Sequence, residues 1–466
     1  MNIFDDLEKY SRNTAIVTES SDQISYLDLL DAAGSIGNHI KKRCLVFFVC
    51  NNCFESVAGY IGFLRAGAVL ALIQDTTDNT LLVNLIEVYK PEYIYLPAEK
   101  SELQINCTIV HTFGNYTLLK TDHKIDYTLH ENLALLLTTS GSTGSPKFVR
   151  QSYKNINSNA EAIAQYLGIT SNDRPISTMP MSYTFMLSII NSHLLKGASI
   201  ILTDATLMDR SFWEIFKGNN ATTFGGVPYI FEMLKKLRFE KMDLPSLKYI
   251  TQAGGKLSMK LSAEFADICA DKGIEFYVMY GQTEATARMS YLPWEYVHTK
   301  VGSIGIAIPR GKFWLEDENR NVIKKYDTIG ELVYQGDNVT MGYAESCFDL
   351  QNDDENNEIL HTGDLAKMDP DGFYYITGRM KRFLKMYGNR VNLDEIEELI
   401  RTAGYDCVCA GTDDNLKIYI TEPDDKDQIV SYIAKRTGIN RAGFSLVYID
   451  KIPLNDSGKV QYSALG

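Results

Sequence analysis

Short apolar runs alternate with amphipathic stretches along the first part of the chain. Runs rich in β-forming residues occupy 45–50, 69–73 and 93–96, and between the first two, 54–66 carries apolar side chains at helical spacing. Short apolar runs bounded by turn residues are typical of buried strands, and strands that alternate with helices form parallel sheets. This pattern predicts an α/β fold in which helices cover a parallel sheet.

The same alternation returns further along the chain. Helical and strand-like segments follow one another at 156–167, 199–202, 212–216, 223–225, 229–237 and 249–252. Two blocks of this kind predict two α/β lobes that pack together.

The pattern then changes to short β-forming runs. Runs at 313–315, 330–334 and 372–376 are separated by turns rich in Gly, Asn and Asp. This spacing predicts an antiparallel sheet or small β-barrel over 301–377.

The last part of the chain predicts a smaller α+β domain. Its expected helices and strands are 394–403, 417–421, 426–436 and 444–448. Because a single core stops growing well below this chain length, more than one domain is expected. We therefore predict an N-terminal domain over 1–380, with the β-rich part inside it, and a C-terminal domain over 381–466.

Composition excludes several classes of protein. The 466 residues are 45% hydrophobic and 23% charged, which is typical of a soluble globular protein. The formal net charge of −13 is opposite to the basic surface that binds nucleic acid or anionic membranes. The apolar runs are far shorter than the ~20 residues that cross a bilayer, and the first residues do not have the form of a signal peptide. We therefore expect a cytoplasmic protein without membrane insertion.

A loop rich in Ser, Thr and Gly follows the predicted strand at 134–137. Its candidate phosphate-binding residues are Thr139, Ser140, Gly141, Ser142, Thr143, Gly144 and Lys147. Glycines let the backbone fold around an anion, hydroxyls donate to phosphate oxygens, and a lysine adds positive charge. Pro146 and Phe148 break the Walker A pattern, so the loop alone does not distinguish phosphate binding from an ordinary surface loop.

Five further motifs follow this loop in a fixed order. They are MYGQTE at 279–284, GDNVTMGY at 336–343, HTGD at 361–364, GR at 378–379 and PLNDSGK at 453–459. In this set and order the sequence resembles the adenylate-forming superfamily of acyl-CoA synthetases, nonribosomal-peptide adenylation domains and luciferases. The resemblance spans nearly the whole chain. It implies a large α/β body followed by a mobile C-terminal domain.

The same resemblance implies a reaction. ATP and Mg²⁺ activate a carboxylic acid to an acyl-adenylate with release of pyrophosphate, and the acyl group then passes to a thiol. The thiol is that of CoA or of the phosphopantetheine of a carrier protein. No carrier domain is expected within this chain, so a carrier protein would be a separate partner.

Several residues of these motifs are implied to bind the nucleotide. Tyr280 stacks on the adenine, with Gly281 and Gln282 in the same motif. Thr283 hydrogen-bonds the α-phosphate, and Glu284 holds Mg²⁺.

Other implied nucleotide contacts come from outside that motif. Gly254 lies along the adenine and the acyl pocket, and Asp364 and Arg379 hold the ribose hydroxyls. Lys459 lies between the carboxylate, the ribose and the α-phosphate during adenylation. Considered without the motifs, Tyr280 would be interpreted as a core aromatic, Asp364 as a turn former and Lys459 as an exposed terminal lysine.

The chemistry agrees with these roles. A carboxylate attacks the α-phosphorus while pyrophosphate leaves, and both reactants are anions. Mg²⁺ and Lys459 would neutralise the negative charge that builds up at the phosphorus and on the bridging oxygen. A carboxylate is already ionised near neutral pH, so no general base is required.

The second half-reaction is implied to need rotation of the C-terminal domain about Lys381. An exposed lysine in a basic stretch is an equally good interpretation of Lys381. Rotation would replace Lys459 by a loop that contains Gly388 and Arg390, which resembles the lining of the family's thiol tunnel. Phe148, Tyr462 and Lys381 depart from residues common in the family, so no subfamily label follows.

The acid is less well defined by the sequence. Candidate acyl-pocket residues are Tyr183, Thr184, Phe185, His193, Phe224 and Met279. Thr184 stands where amino-acid-activating members place an Asp, and no Asp or Glu lies between Asp173 and Asp204. A buried ammonium without a counter-charge is costly, so an uncharged acyl, hydroxyacyl or aryl acid is favoured over an α-amino acid. His193 is interpreted as pocket wall or core rather than as a catalytic group.

Three alternatives remain open from the sequence. The chain could be a stand-alone adenylation enzyme that loads an amino acid onto a carrier protein. It could stop at the adenylate. It could also be a nucleotide-binding regulatory protein with a degenerate site.

Overall fold

Helices and strands alternate through most of the chain. The computed structural model describes residues 2–101, 105–138, 147–380, 382–387, 389–421, 426–437, 439–454 and 460–465. The chain divides into two units, Met1–Lys312 with Gln335–Leu360, and Phe313–Tyr334 with His361–Gly466. The functional boundary between residues 380 and 381 stays a prediction.

The helices and strands are numbered in chain order. The α-helices are α1 (Tyr26–Gly37), α2 (Phe54–Arg65), α3 (Asn79–Tyr89), α4 (Tyr153–Tyr166), α5 (Thr184–Leu195), α6 (Arg210–Gly218), α7 (Pro228–Lys236), α8 (Met259–Lys272), α9 (Leu393–Thr402) and α10 (Lys426–Thr437). The strands are β1 (Thr14–Val17), β2 (Gln23–Ser25), β3 (Leu45–Cys50), β4 (Val69–Gln74), β5 (Tyr93–Pro97), β6 (Cys107–Phe113), β7 (Tyr116–Thr121), β8 (Leu133–Thr138), β9 (Phe148–Ser152), β10 (Ile200–Ile201), β11 (Thr223–Gly226), β12 (Tyr249–Gln252), β13 (Glu275–Tyr280), β14 (Ser290–Leu292), β15 (Ile306–Ala307), β16 (Lys312–Glu316), β17 (Gly330–Gln335), β18 (Tyr343–Ala344), β19 (Ile359–Met368), β20 (Tyr374–Arg379), β21 (Phe383–Met386), β22 (Asn389–Asn392), β23 (Cys407–Thr412), β24 (Asn415–Ile420) and β25 (Phe444–Tyr448).

Local sequence explains where several helices begin and end. Ser25 and Ser152 cap α1 and α4, each in a reciprocal capping box with the residue three positions on. Asp78 and Ser258 accept backbone N–H groups at the starts of α3 and α8. Such caps satisfy amides that the helix itself leaves unpaired. Gly273 ends α8 in the left-handed region, which costs a glycine little.

The first lobe is an eight-stranded sheet in the order β18-β9-β8-β4-β3-β5-β7-β6. Its centre is parallel, since β3 pairs in parallel with β4 and β5, and β4 with β8. All six residues of β3 are buried, as expected for a parallel strand covered on both faces. The predicted parallel sheet covered by helices is therefore confirmed.

The second lobe is a five-stranded sheet in the order β11-β12-β13-β14-β15. Its first three strands are parallel, and α7 and α8 connect them. Ligands of parallel α/β sheets bind beyond the carboxyl ends of the strands. The carboxyl end of β13 is Tyr280, so the MYGQTE motif runs directly into that edge. The predicted strand 199–202 is observed only as β10, whose two residues pair with β1, so it is shorter than expected.

The second unit contains a four-stranded sheet in the order β16-β17-β19-β20. It also contains the β21–β22 hairpin and a three-stranded sheet, β23-β24-β25. The small sheet packs with α9 and α10 around a core that includes Ile400, Ile418 and Ile433. The β-rich texture and the α+β tail predicted from the sequence are both present. In the described ranges, no helix is long and apolar enough to cross a membrane.

Candidate active site

The edge formed by β11, β12 and β13 gathers several of the predicted residues. Parallel pairing sets Gly226 beside Gln252 and Gln252 beside Val278, so the three strands end side by side. Gly254 follows β12 with φ +81°, a conformation that glycine adopts without strain. An added Cβ there would lie 2.6 Å from the Tyr183 hydroxyl, so a glycine is required for this approach.

The MYGQTE motif passes from β13 into a tight turn at Thr283–Ala285. A Cβ on Gly281 would lie 1.7 Å from the carbonyl oxygen of Ala287, so only glycine fits. Thr286 closes the turn at φ +66°, which is strained for a β-branched residue. Its hydroxyl donates to the carbonyl of Asn338 at 2.7 Å. The surrounding structure therefore holds Thr283 and Glu284 in a fixed position.

Glu284 lies within a chain of contacts that reaches Lys147. The Tyr343 hydroxyl donates to Oε1 of Glu284 at 2.7 Å, and Lys147 Nζ lies 3.7 Å from the centroid of the same ring. Burial and the nearby Glu284 carboxylate raise the pKa of Tyr343 well above its usual range, so the phenol stays a donor. Lys147, the last residue of the predicted phosphate-binding loop, and Glu284, the predicted Mg²⁺ ligand, therefore both contact one tyrosine.

Tyr343 belongs to the GDNVTMGY motif, but sequence reasoning gave it no role. Its strand β18 pairs with β9, which begins at Phe148, directly after Lys147. Buried Arg150, also on β9, donates to the carbonyls of Met341 and Tyr343 and to Glu355. The position of Tyr343 depends on this long-range pairing, which single-residue patterns do not reveal.

Thr283 and Thr184 contact each other although they are 99 positions apart in the sequence. Their hydroxyl oxygens lie 3.1 Å apart, and Thr184 is the first residue of α5. The predicted α-phosphate ligand and the predicted start of the acyl pocket are therefore neighbours. A carboxylate held here would lie beside the residue that is expected to hydrogen-bond the α-phosphate under attack.

Two of the remaining acyl-pocket candidates, His193 and Phe224, line one cavity together with Tyr249 and Arg288. The Met279 sulfur accepts from the Tyr166 hydroxyl at 3.1 Å and also contacts Arg288. Arg288 was missed by sequence reasoning, because an arginine four positions after Glu284 matches no motif.

His193 is buried and neutral in this pocket. Nδ1 lies 2.8 Å from the Ile189 carbonyl, and Nε2 lies 3.2 Å from the Tyr249 hydroxyl. These partners fit a ring that donates from Nδ1 and accepts at Nε2. Burial lowers the pKa of His193 to about 4. The interpretation of His193 as pocket wall or core is consistent with this geometry.

Replacing His193 by Asn should change the pH dependence of stability. The pKa of folded His193 is depressed, so as pH falls the unfolded chain takes up a proton first and the folded state loses stability. Between about pH 7 and pH 5 the wild type should lose about 2 kcal/mol more than His193→Asn. Thermal unfolding midpoints of both proteins across this range would measure the difference, and parallel curves would contradict the assignment.

Asp364 and Arg379 both lie in the second unit and contact each other there. They are paired residues on antiparallel β19 and β20, and Arg379 Nε donates to Asp364 Oδ1 at 3.0 Å. The Asp364 side chain is buried, whereas that of Arg379 is 64% exposed. An oriented carboxylate beside an accessible guanidinium can hold two neighbouring hydroxyls, as expected for a ribose.

Several predicted residues lie outside the described part of the chain. They are Thr139, Ser140, Gly141, Ser142, Thr143, Gly144, Lys381, Gly388 and Lys459. The side chain of Arg390 is likewise outside it, although its backbone belongs to β22. Their roles stay predictions from the motifs.

Comparison with known proteins gives matches over most of the chain. The family described as AMP-binding enzyme matches residues 3–344. The 2-succinylbenzoate–CoA ligase of Bacillus cereus (strain ATCC 10987 / NRS 248) is 30% identical over 397 residues, covering 83% of this chain and 79% of that protein. That of Bacillus cereus (strain AH820) is 28% identical over 398 residues, with the same coverage.

Solved structures resemble the fold over its full length. The O-succinylbenzoate coenzyme A synthetase of Bacillus subtilis in complex with AMP gives a TM-score of 0.79 at 20% identity, covering 99% of this chain and 97% of that one. ATP-bound MatB from Rhodopseudomonas palustris gives 0.81 at 21% identity, covering 100% and 98%. At these identities the likeness establishes the fold.

Proposed function

Since the chain belongs to the AMP-binding enzyme family, we propose that it is an AMP-forming acid–thiol ligase. It activates a carboxylic acid with ATP to an acyl-adenylate, releases pyrophosphate and passes the acyl group to a thiol. The observation that carries this proposal is the meeting of Thr184 with Thr283, one residue before Glu284. The helix α5, which is expected to contact the acid, and the turn that is expected to contact phosphate meet at this hydrogen bond.

The oxygen donors at this turn fit a magnesium ion. Mg²⁺ prefers carboxylate oxygens and the phosphate oxygens of a nucleotide. Glu284 would hold the ion, and Tyr343 orients its carboxylate through the 2.7 Å hydrogen bond. When bound, Mg²⁺ neutralises charge on the polyphosphate.

The first half-reaction needs alignment more than acid–base catalysis. An oxygen of the substrate carboxylate bonds to the α-phosphorus, and the bond from that phosphorus to the bridging oxygen of pyrophosphate breaks. Thr283 donates to an α-phosphate oxygen, and Lys147 adds positive charge beside Tyr343. A neutral, buried His193 agrees with a reaction that needs no base.

CoA is the acceptor that we propose for the second half-reaction. The curated relatives are CoA ligases. The thiol sulfur attacks the acyl carbonyl carbon, the thiol proton is released to solvent, and AMP leaves with the electron pair of the broken C–O bond. Lys381 as hinge and Gly388 and Arg390 in the thiol tunnel belong to this proposal, as does a cytoplasmic location, where ATP and CoA are available.

A screen of acids tests the proposed function. The protein is incubated with MgATP, labelled pyrophosphate and each of a panel of aliphatic, aromatic, dicarboxylic and α-amino acids. We expect label to enter ATP only when an accepted acid is present, and AMP release to accelerate when CoA is added. Acid-dependent exchange without thiol-dependent AMP release would indicate an enzyme that stops at the adenylate. No exchange with any acid would contradict the proposal and favour a regulatory nucleotide-binding protein.

A further inference from the structure

Arg288 is a fully buried arginine at the acyl pocket. Only 2% of the residue is exposed. Its backbone carbonyl accepts from Asn159 Nδ2 at 2.8 Å and from Asn338 Nδ2 at 3.0 Å, which fixes the base of the side chain. The guanidinium is therefore directed by the fold and has little freedom to reach solvent.

The surroundings of this guanidinium supply few acceptors. Nη1 donates to the Tyr166 hydroxyl at 3.4 Å and contacts the Met279 sulfur, and the group lies 4.1 Å from the centroid of the Phe185 ring. Nε is buried and has no hydrogen-bond partner. Among the residues that the structure describes, no carboxylate pairs with Arg288, and the one hydroxyl that accepts from its guanidinium is that of Tyr166.

Arg150 shows how this chain satisfies a structural buried arginine. Its side chain is likewise buried, but it donates to the carbonyls of Met341, Tyr343 and Asn352 and to the Glu355 carboxylate. Arg288 has no comparable set. Because arginine stays protonated in proteins and an uncompensated buried charge costs several kcal/mol, Arg288 lacks a counter-charge that a ligand could supply.

Arg288 lies near the contact between Thr184 and Thr283. It lines the cavity that also contains His193, Phe224 and Tyr249. Its guanidinium stacks on Phe185, the residue after Thr184, and Thr184 meets Thr283. The positive charge therefore lies beside the first turn of α5, next to the residue that contacts Thr283.

We propose that Arg288 determines substrate specificity by pairing with a second carboxylate, so that the acid activated by this enzyme is a dicarboxylic acid. The inference rests on the proposed function. One carboxylate reacts near Thr283, while the other accepts from the unpaired Nε and from the Nη groups of Arg288. Guanidinium and carboxylate match in planar, bidentate geometry, which is the strongest pairing available to an arginine. The sequence, in which Arg288 had no assigned role, favoured an uncharged acid. A dicarboxylic acid replaces that expectation.

Matched pairs of acids test the inference on the unmodified protein. Each pair shares a chain length and differs only in whether the far end is a methyl group or a carboxylate. In pyrophosphate exchange we expect kcat/KM to be about a hundredfold higher for the dicarboxylic member, because loss of one partner of a buried charge pair has a large effect. Equal or faster exchange with the monocarboxylic members would overturn the inference while leaving the proposed function intact. Exchange with no acid at all would contradict both.

Two variants separate specificity from structure. Arg288→Met should raise KM for the dicarboxylic acid by about a hundredfold and leave KM for the matched monocarboxylic acid unchanged or lower. Arg288→Lys keeps the charge but loses the bidentate fork, so about tenfold of the preference should remain. Thermal unfolding shows whether each variant folds, and Arg288→Lys serves if Arg288→Met does not. An unchanged dicarboxylate KM in a folded variant would overturn the assignment.

Discussion

Replacing Glu284 by Gln should slow acid-dependent pyrophosphate exchange by about a thousandfold, equivalent to about 4 kcal/mol of transition-state stabilisation. The substitution keeps size and shape but removes the negative charge at the end of the β13 turn. An amide oxygen is a much weaker ligand for Mg²⁺ than a carboxylate. Raising the Mg²⁺ concentration should recover part of the rate, and exchange measured across a Mg²⁺ series would show this.

The chain offers controls for this experiment. Glu161→Gln makes the same chemical change in a half-exposed ion pair with Arg310 and should leave exchange unchanged. Tyr343→Phe removes the hydroxyl that donates to Glu284, and about a tenfold loss is expected because the carboxylate stays but loses its orientation. If Glu284→Gln exchanged pyrophosphate within threefold of the wild type, Glu284 would not be the metal ligand.

Replacing Lys459 by Ala should separate the two half-reactions. Exchange should fall by about a thousandfold, because no other lysine is expected at the carboxylate and α-phosphate during adenylation. Transfer of the acyl group from preformed acyl-adenylate to CoA should stay within about threefold of the wild type, since the rotated domain would carry Lys459 away from the site. Pyrophosphate exchange and single-turnover transfer are measured separately.

Lys451 provides a matched control for this second prediction. It is an exposed lysine in the same terminal segment, and Lys451→Ala should affect neither half-reaction. Equal loss of both half-reactions in Lys459→Ala would contradict the domain rotation. Loss of neither would show that Lys459 is an ordinary terminal lysine.

Much of the fold follows from local pattern. β3, β12 and β25 coincide with their predicted ranges, because a short run of β-forming residues between turns rarely forms anything but a strand. β10 is shorter than the pattern suggested, because only two residues of the predicted strand pair with β1. A strand ends where pairing with its partner ends. Strand order could not be read from the sequence, because it depends on contacts between distant segments.

The candidate site residues likewise divide into those predicted from sequence motifs and those recognised only in the structure. Thr283, Glu284, Asp364 and Arg379 were predicted as nucleotide-binding residues because they lie in motifs whose order resembles that of a family. Tyr343 gained a role only when β18 was paired with β9, and Arg288 only when its burial without a counter-charge became visible. A single arginine in a sequence carries no sign of its partners. The expected charge of the substrate therefore changed once packing was known.

A single-turnover reaction tests the central claim most directly. Excess enzyme is mixed with ATP labelled at the α-phosphate, Mg²⁺ and an accepted acid, and the products are separated before and after addition of CoA. An acyl-adenylate that carries the label should form first, and CoA should convert it to labelled AMP and acyl-CoA. Labelled ADP as the product, or labelled AMP that forms at the same rate without acid, would contradict adenylate formation by this protein.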